Sequence, residues 1–214
     1  MPFLNFSQTK ELLFKYNIQI LEAKLAKTKK EGLNFAKTIG YPVVLKISSP
    51  NITHKTDVNG VRIGIENKKE LEKSWNEILS SVKKVKPKAK IDGILIQKQM
   101  KGKEIVVGMK RDSTFGPVLM VGIGGIFIEV LKDVAFRVCP VSKREARKML
   151  EELKGYKLLK GHRNQKQVSI EKITETITIL SKLSLLEKEI KEIDFNPIIA
   201  NGKEALVVDA RFLV

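Results

Sequence analysis

Residues 192–214 read EIDFNPIIANGKEALVVDARFLV, and this stretch decides the fold. Apolar and polar residues alternate on both sides of Asn201-Gly202, the pattern of two half-buried strands around a tight turn. A two-residue turn there sets Ala200 opposite Lys203 and therefore Asp194 opposite Asp209. Asn196 then lies diagonal to Asp209, about 7–8 Å away between backbones. Like charges that face each other destabilise a sheet, so something must compensate them. Two carboxylates and an amide are hard oxygen donors, the set that holds Mg²⁺ together with substrate phosphates. A neighbouring Lys203 or Arg211, or a register shifted by Pro197, is the alternative account.

Upstream, helices and strands are mixed. Glu11–Tyr16 has helical spacing. Thr28-x-x-Glu31 opens a helix that Gly40 stops, and Tyr41–Ile47 (YPVVLKI) is a β-branched, buried strand. Ser48–Gly60 is a polar loop without periodicity, and Val61–Ile65 returns as a strand. Asn67-x-x-Glu70 caps a helix with Leu71, Trp75, Ile78, Leu79 and Val82 on its apolar face, where Trp75 reads as core. Asp92–Met100 and Glu104–Asp112 are strands joined through Lys101-Gly102-Lys103, a hairpin signal. The runs PVLMVGI, IFIEVL and VAFRVCPV are strand-like, and Ser142-x-x-Glu145 and Ser169 open two further helices. The order implies an α+β fold with a largely antiparallel sheet, and a lobe boundary near residues 97–101.

Composition narrows the class. The 214 residues carry a formal net charge of +16, which first suggests nucleic acid or membrane. Lysines supply 33 of the basic residues and arginines 7, whereas arginine is the residue that reads bases and forks onto phosphate. A lysine excess spread this evenly reads as a solvated surface, so neither a nucleic-acid nor a membrane partner is expected. Cys139 is the only cysteine, which suits a reducing compartment. MPFLNFSQTKELL carries no apolar h-region and reads as mature sequence, and GPVLMVGIGGIFI is too short to span a bilayer. A cytoplasmic protein is expected.

Several residues carry chemistry. Lys46 lies within an apolar strand, where a charge is costly unless paired. It either snorkels from an edge strand or presents an ammonium to phosphate. His54 stands in the thirteen-residue loop with Lys55, Thr56 and Asp57. It either faces water or serves as base, ligand or nucleophile. Asn59-Gly60 permits positive φ and helps a loop aim N–H groups at phosphate. Gly122-Ile-Gly124-Gly125 is followed by a further strand-like run rather than a helix. That excludes a dinucleotide fingerprint and leaves a tight connection or a close approach of backbone to ligand. His162-Arg163 suits anion contact and solvent exposure equally.

Taken together, GYPVVLKISSPNITHKTDVNGV, the run from GILIQKQM to VAFRVCPV, EIKEIDFNPII and LVVDAR resemble the ATP-grasp β subunit of ADP-forming acetyl-CoA synthetases, from about Glu11 to Arg211. The resemblance implies an ATP-grasp fold of two lobes, residues 1–97 and 98–214, with nucleotide between them. It implies the reaction acyl-CoA + ADP + Pi ⇌ acid + ATP + CoA, carried by phosphohistidine, with a CoA-binding α subunit as partner and ATP/ADP and Mg²⁺ bound. By position, Lys46 resembles the lysine on the ATP phosphates. Gln97, Lys98 and Met100 resemble the segment whose backbone meets adenine, and Glu104 the carboxylate beside the nucleotide. Gly124, Gly125 and Glu129 match the Gly-rich phosphate side. Asn196 and Asp209 match the magnesium ligands, with Asp194 in support, and His54 matches a second phosphate relay. Three departures stand out: Asn59-Gly60 for the usual Gly-Gly, Gly161-His162-Arg163-Asn164 near the usual Arg-Gly, and Asp-Phe-Asn-Pro for Asp-Ile-Asn-Pro. The alternatives are a succinyl-CoA-synthetase-like ligase and a non-catalytic basic module that binds nucleic acid.

Overall fold

The computed structural model describes residues 3–52, 54–125, 128, 130–161 and 166–214. In chain order the first elements are α1 (Phe6–Lys15), β1 (Ala23–Ala26), α2 (Lys29–Ile39), β2 (Val43–Ser48), β3 (Val61–Ile65), α3 (Lys68–Val85) and β4 (Gly93–Lys98). There follow β5 (Lys103–Asp112), β6 (Gly116–Ile123), β7 (Val134–Val138), α4 (Lys143–Glu151), α5 (Tyr156–Leu159), α6 (Ile170–Leu186), β8 (Glu192–Ala200), β9 (Ala205–Val207) and β10 (Ala210–Leu213). The chain divides into two compact units, Leu21–Met100 and Met1–Ile20 with Lys101–Val214. The first twenty residues, which a 1–97 lobe would include, thus belong to the unit that holds the C-terminus.

In the Leu21–Met100 unit a sheet of order β1-β4-β2-β3 is antiparallel throughout. Its alternation is clear in β2 and β4: Val43, Leu45, Ile47, Ile94 and Ile96 are buried together with Leu71, Trp75, Ile78 and Val82 of α3. Thr28 starts α2 by accepting from the Glu31 N–H, and Asn67 starts α3 by accepting from the Glu70 N–H. Gly40 ends α2 at φ +74°, a conformation that favours glycine. β1 has no counterpart among the expected strands, since four residues, AKLA, carry too little alternation to show.

The other unit holds a sheet of order β10-β8-β5-β6-β7, with β9 on β8. One of its faces supplies Ile105, Val107, Leu119, Val121 and Phe195 to a core shared with Ile173, Ile177 and Leu180 of α6. α1 adds Leu13 to that core. It begins at Asn5, earlier than Glu11, because Asn5 and Gln8 form a capping box.

Three expectations are corrected. β4 and β5 do not form a hairpin: β4 pairs with β1 and β2, whereas β5 pairs with β6 and β8. Gly102 serves instead for close approach, since a Cβ there would sit 2.3 Å from the Ala200 carbonyl oxygen. IFIEVL is not a strand at its described residues, with Ile128 helical and Val130 in a turn; Ile126, Phe127 and Glu129 lie outside the described residues. The last hairpin turns through a four-residue loop, treated below. Among the described residues no helix is long and apolar enough to cross a membrane.

Candidate functional site

In the Leu21–Met100 unit, β2 is a central strand and Lys46 is 7% exposed, opposite Leu95 on one side and Val61 on the other. The edge-strand account of Lys46 therefore fails. Gln97 sits opposite Val44 and is 1% exposed. Strand alternation places Lys46, Val44 and Gln97 on the sheet face away from the core of α2 and α3. A buried ammonium and a buried amide thus project from one face, the chemistry of a phosphate and a polar ring. The Lys98 ammonium is engaged locally, donating to the carbonyls of Gly40 (2.8 Å) and Tyr41 (3.0 Å). It braces the turn that leads into β2. Met100, half-buried, ends the unit.

His54 is exposed. Its loop is nevertheless anchored: Ile52 and Val58 are buried, and the Asn51 side-chain oxygen accepts from the Lys90 N–H at 2.8 Å. Gly60 closes the loop, donating to the Lys55 carbonyl and accepting from the Ile47 N–H, both at 2.7 Å. Asn59 adopts φ +50°, so it takes the left-handed conformation expected of the Asn-Gly departure. An exposed imidazole on an anchored loop that directly follows β2 is accessible to a reagent delivered from solvent.

In the other unit, Glu104 is the second residue of β5 and Gly124 begins the turn after β6. The Gly124 N–H donates to the Glu104 carbonyl at 2.8 Å, and a Cβ at Gly124 would lie 2.8 Å from the Glu104 Cβ. Glycine at 124 is therefore what lets the two segments meet beside the Glu104 carboxylate. Gly125 is exposed at φ +67°.

The acidic hairpin differs from its expected register. Ala200 pairs with Ala205, Phe195 with Ala210 and Asp194 with Arg211. Asn196 faces Asp209, its N–H donating to the Asp209 carbonyl at 3.0 Å. Asn201 is the cause: its side-chain oxygen accepts from the Lys203 (2.9 Å) and Glu204 (3.1 Å) N–H groups, which widens the turn to four residues. The register moves by two, so the faces are kept while the facing aspartates are separated. Asp194 lies between Arg211 on β10 and Gly108 on β5. Arg211, one of the two compensating cations considered from sequence, takes the place opposite Asp194. Asp194, Asn196 and Asp209 still supply two carboxylates and one amide oxygen. Among the described residues no three His, Cys, Asp or Glu side chains form a metal group. An ion held here would therefore complete its shell from Asn196, substrate phosphates and water. Glu129, His162, Arg163 and Asn164 lie outside the described residues.

Comparisons with known proteins identify the family. A family model described as ATP-grasp domain matches residues 2–214. The β subunit of acetate–CoA ligase (ADP-forming) I from Pyrococcus furiosus is 44% identical over 97% of this chain and 90% of its own length. The dinucleotide-forming acetyl-coenzyme A synthetase 1 of Ca. Korarchaeum cryptofilum, solved with coenzyme A, Ca-AMPCP and HgCl⁺, superposes with a TM-score of 0.95 at 41% identity, covering 100% of this chain and 93% of that one. The same enzyme with coenzyme A and Mg-AMPPCP, its phosphohistidine segment pointing towards the nucleotide binding site, gives a TM-score of 0.83 at 36% identity over 99% of this chain and 92% of that one. The chain belongs to the ATP-grasp family, as a homologue of the β subunits of ADP-forming acetate–CoA ligases.

Proposed function

We propose that this chain is the nucleotide-binding β subunit of an ADP-forming acetyl-CoA (acyl-CoA) synthetase, working in the cytoplasm with a CoA-binding α subunit. The observation that carries the proposal is the end-to-end match to a β subunit, at 44% identity over 97% of the chain. It favours this reading over a succinyl-CoA-synthetase-like ligase or a basic nucleic-acid module. The α subunit forms an acyl phosphate as phosphate displaces CoA from acyl-CoA. A histidine nitrogen of the α–β system takes that phosphoryl group and releases the acid, and the terminal oxygen of ADP then takes it from nitrogen to give ATP.

Phosphoryl transfer depends on positioning and charge neutralisation more than on covalent chemistry by the protein. Lys46 would supply a fixed positive charge to the nucleotide phosphates from a site where water competes little. Gln97, Lys98 and Met100 would meet the adenine, Lys98 through its backbone because its ammonium already holds Gly40 and Tyr41. Glu104, with Gly124 and Gly125 beside it, would line the phosphate side. Asp194, Asn196 and Asp209 fit Mg²⁺ by donor type, and the ion when bound would neutralise phosphate charge. His54 would be a second phosphate relay on its exposed, anchored loop.

The test is ATP formation by the chain with its α partner, acetyl-CoA, ADP, phosphate and Mg²⁺, followed with a panel of acyl-CoAs. ATP should appear, and Lys46→Met should lower nucleotide affinity at least about tenfold. No ATP from any acyl-CoA would sink the proposal. Undiminished nucleotide binding by Lys46→Met would remove the phosphate role, and full turnover by His54→Ala would remove the relay.

A further inference from the structure

A groove of about 570 Å³ on the Leu21–Met100 unit is lined by Lys29, Lys30, Lys37 and Lys68, with Leu33, Asn34 and Tyr41 completing its walls. None of these residues belongs to the candidate nucleotide site. Lys30, Leu33, Asn34 and Lys37 follow the i, i+3, i+4, i+7 spacing that puts one stripe of α2 along one side. Lys68 is the first residue of α3 and faces them from the positive end of an eighteen-residue helix.

The nearby acids offset only part of this charge. The Glu31 carboxylate is turned back to accept from the Lys27 N–H at 2.8 Å. The Glu70 carboxylate accepts from the Glu66 N–H and the Asn67 side chain at 2.8 and 2.7 Å. Both carboxylates are thus oriented toward helix starts. Glu72 is the remaining acid: it lies 3.8 Å from Lys68, and its charge, after the larger effect of burial, helps raise the Tyr41 hydroxyl above its ordinary pKa. Among the described residues, Lys29, Lys30 and Lys37 have no salt-bridge partner.

A concave wall on which one charge sign predominates focuses potential and concentrates counter-ions. Ammonium groups that line one groove repel one another, and a ligand with several anionic groups relieves that repulsion. Leu33 and Tyr41, which pack against the unit's core, give the groove an apolar floor. A groove of this volume with an apolar floor and a few charged anchors has the make-up of a small-molecule site.

We propose that this groove is an anion site separate from the nucleotide site, taking a small molecule that carries two or more phosphate groups. The phosphates can be free, as in an inorganic polyphosphate, or borne on a nucleotide whose base rests on Leu33 and Tyr41. The inference does not depend on the catalytic reading.

Calorimetric titration of the full chain with inorganic tripolyphosphate, without Mg²⁺, tests it. The variants are Lys30→Ala/Lys37→Ala, Lys83→Ala/Lys84→Ala and Lys46→Met, each checked for native circular dichroism. One-to-one binding is expected in the unmodified chain. It should weaken at least about tenfold in Lys30→Ala/Lys37→Ala, change less than about twofold in Lys83→Ala/Lys84→Ala, and persist in Lys46→Met. Loss of equal size in the two double variants would show a general charge effect and overturn the site. Loss in Lys46→Met alone would assign the phosphates to the nucleotide site and overturn it too, as would an absence of binding to the unmodified chain. Within the Lys46→Met background, ADP binding tighter than pyrophosphate identifies the nucleotide-borne source, and equal affinities identify the free polyphosphate.

Discussion

Gly60 shows how one residue shapes the loop that carries His54. A Cβ there would stand 2.4 Å from Ile47 Cγ2 and 2.9 Å from the Lys55 carbonyl oxygen, and the second contact is backbone that cannot swing away. Gly60→Ala should therefore force the loop off β2, at a cost of about 1–3 kcal/mol, measured by chemical denaturation. Asn59→Gly should change stability by less than about 1 kcal/mol, because the φ of +50° that Asn59 already adopts suits glycine at least as well. Equal losses in the two variants would mean that the loop is not held through Gly60. At this scale the sequence is informative where the backbone demands a residue type. Asn-Gly announces positive φ, and a lysine inside VVLKI announces a special environment. Whether Lys46 stands on an edge or a central strand is invisible locally, because β3 and β4, which flank it, come from later in the chain.

At the scale of elements, alternation identifies faces but not partners. A one-residue slip would turn Asp194 and Asn196 into the core, so their face is legible from EIDFN alone. A two-residue slip keeps the faces, and only the side-chain bonds of Asn201 to Lys203 and Glu204 select it. That is why the acidic face was legible and the Asp194–Arg211 pairing was not. Likewise Lys101-Gly102-Lys103 has the composition of a turn, yet it carries the chain from one sheet to another. Long-range tethers are equally hidden. The Glu187 carboxylate at the end of α6 accepts from Lys15 at 2.6 Å and from the Tyr16 hydroxyl at 2.7 Å, which ties α1 down. Lys15 foremost, then Tyr16, hold the Glu187 carboxyl below its ordinary pKa. Its contribution is thus present above the ordinary carboxylate value of about 4.3 and is lost as pH falls through the lowered value. Burial, then Glu187, raises the Tyr16 hydroxyl, so that contribution is lost only as pH rises through a value above about 10. Lys15 is well exposed, so screening keeps the effect small. The protection factors of the α1 amides, exchange rates taken relative to the intrinsic rate at each pH, should fall about two- to fivefold between about pH 6 and pH 3, and Glu187→Gln should remove that dependence. An unchanged pH dependence in the variant would show that α1 is held by its apolar contacts alone.

At the scale of the whole molecule, length and composition allow one large domain or two small ones, and local patterns favour a single cut near residue 100. The chain instead returns on itself. Residues Leu21–Met100 form a continuous unit with its own sheet and core. The other unit is discontinuous, and its two parts are joined by the most distant contacts in sequence. The Leu4 N–H donates to the Phe212 carbonyl at 3.0 Å, the Val207 N–H to the Gln19 carbonyl at 2.9 Å, and Leu13 and Ile18 are buried in its core. No periodicity within residues 1–20 reveals that destination. The two units should therefore respond differently to excision. A fragment of residues 21–100 should unfold cooperatively by itself, since it keeps every strand neighbour and helix of its core. A fragment of residues 101–214 loses the burial of Leu13 and Ile18, worth about 1.5–3 kcal/mol each, and leaves the outer strand β10 without its N-terminal cover. It should be less stable by about 3–6 kcal/mol than the same fragment mixed with a peptide of residues 1–20, when both are followed by thermal melting and by amide exchange in β10. If the peptide changed neither measurement, α1 would be an appendage rather than part of the core. If residues 21–100 failed to fold while 101–214 with the peptide folded, the continuous unit would be the one that needs the rest of the chain.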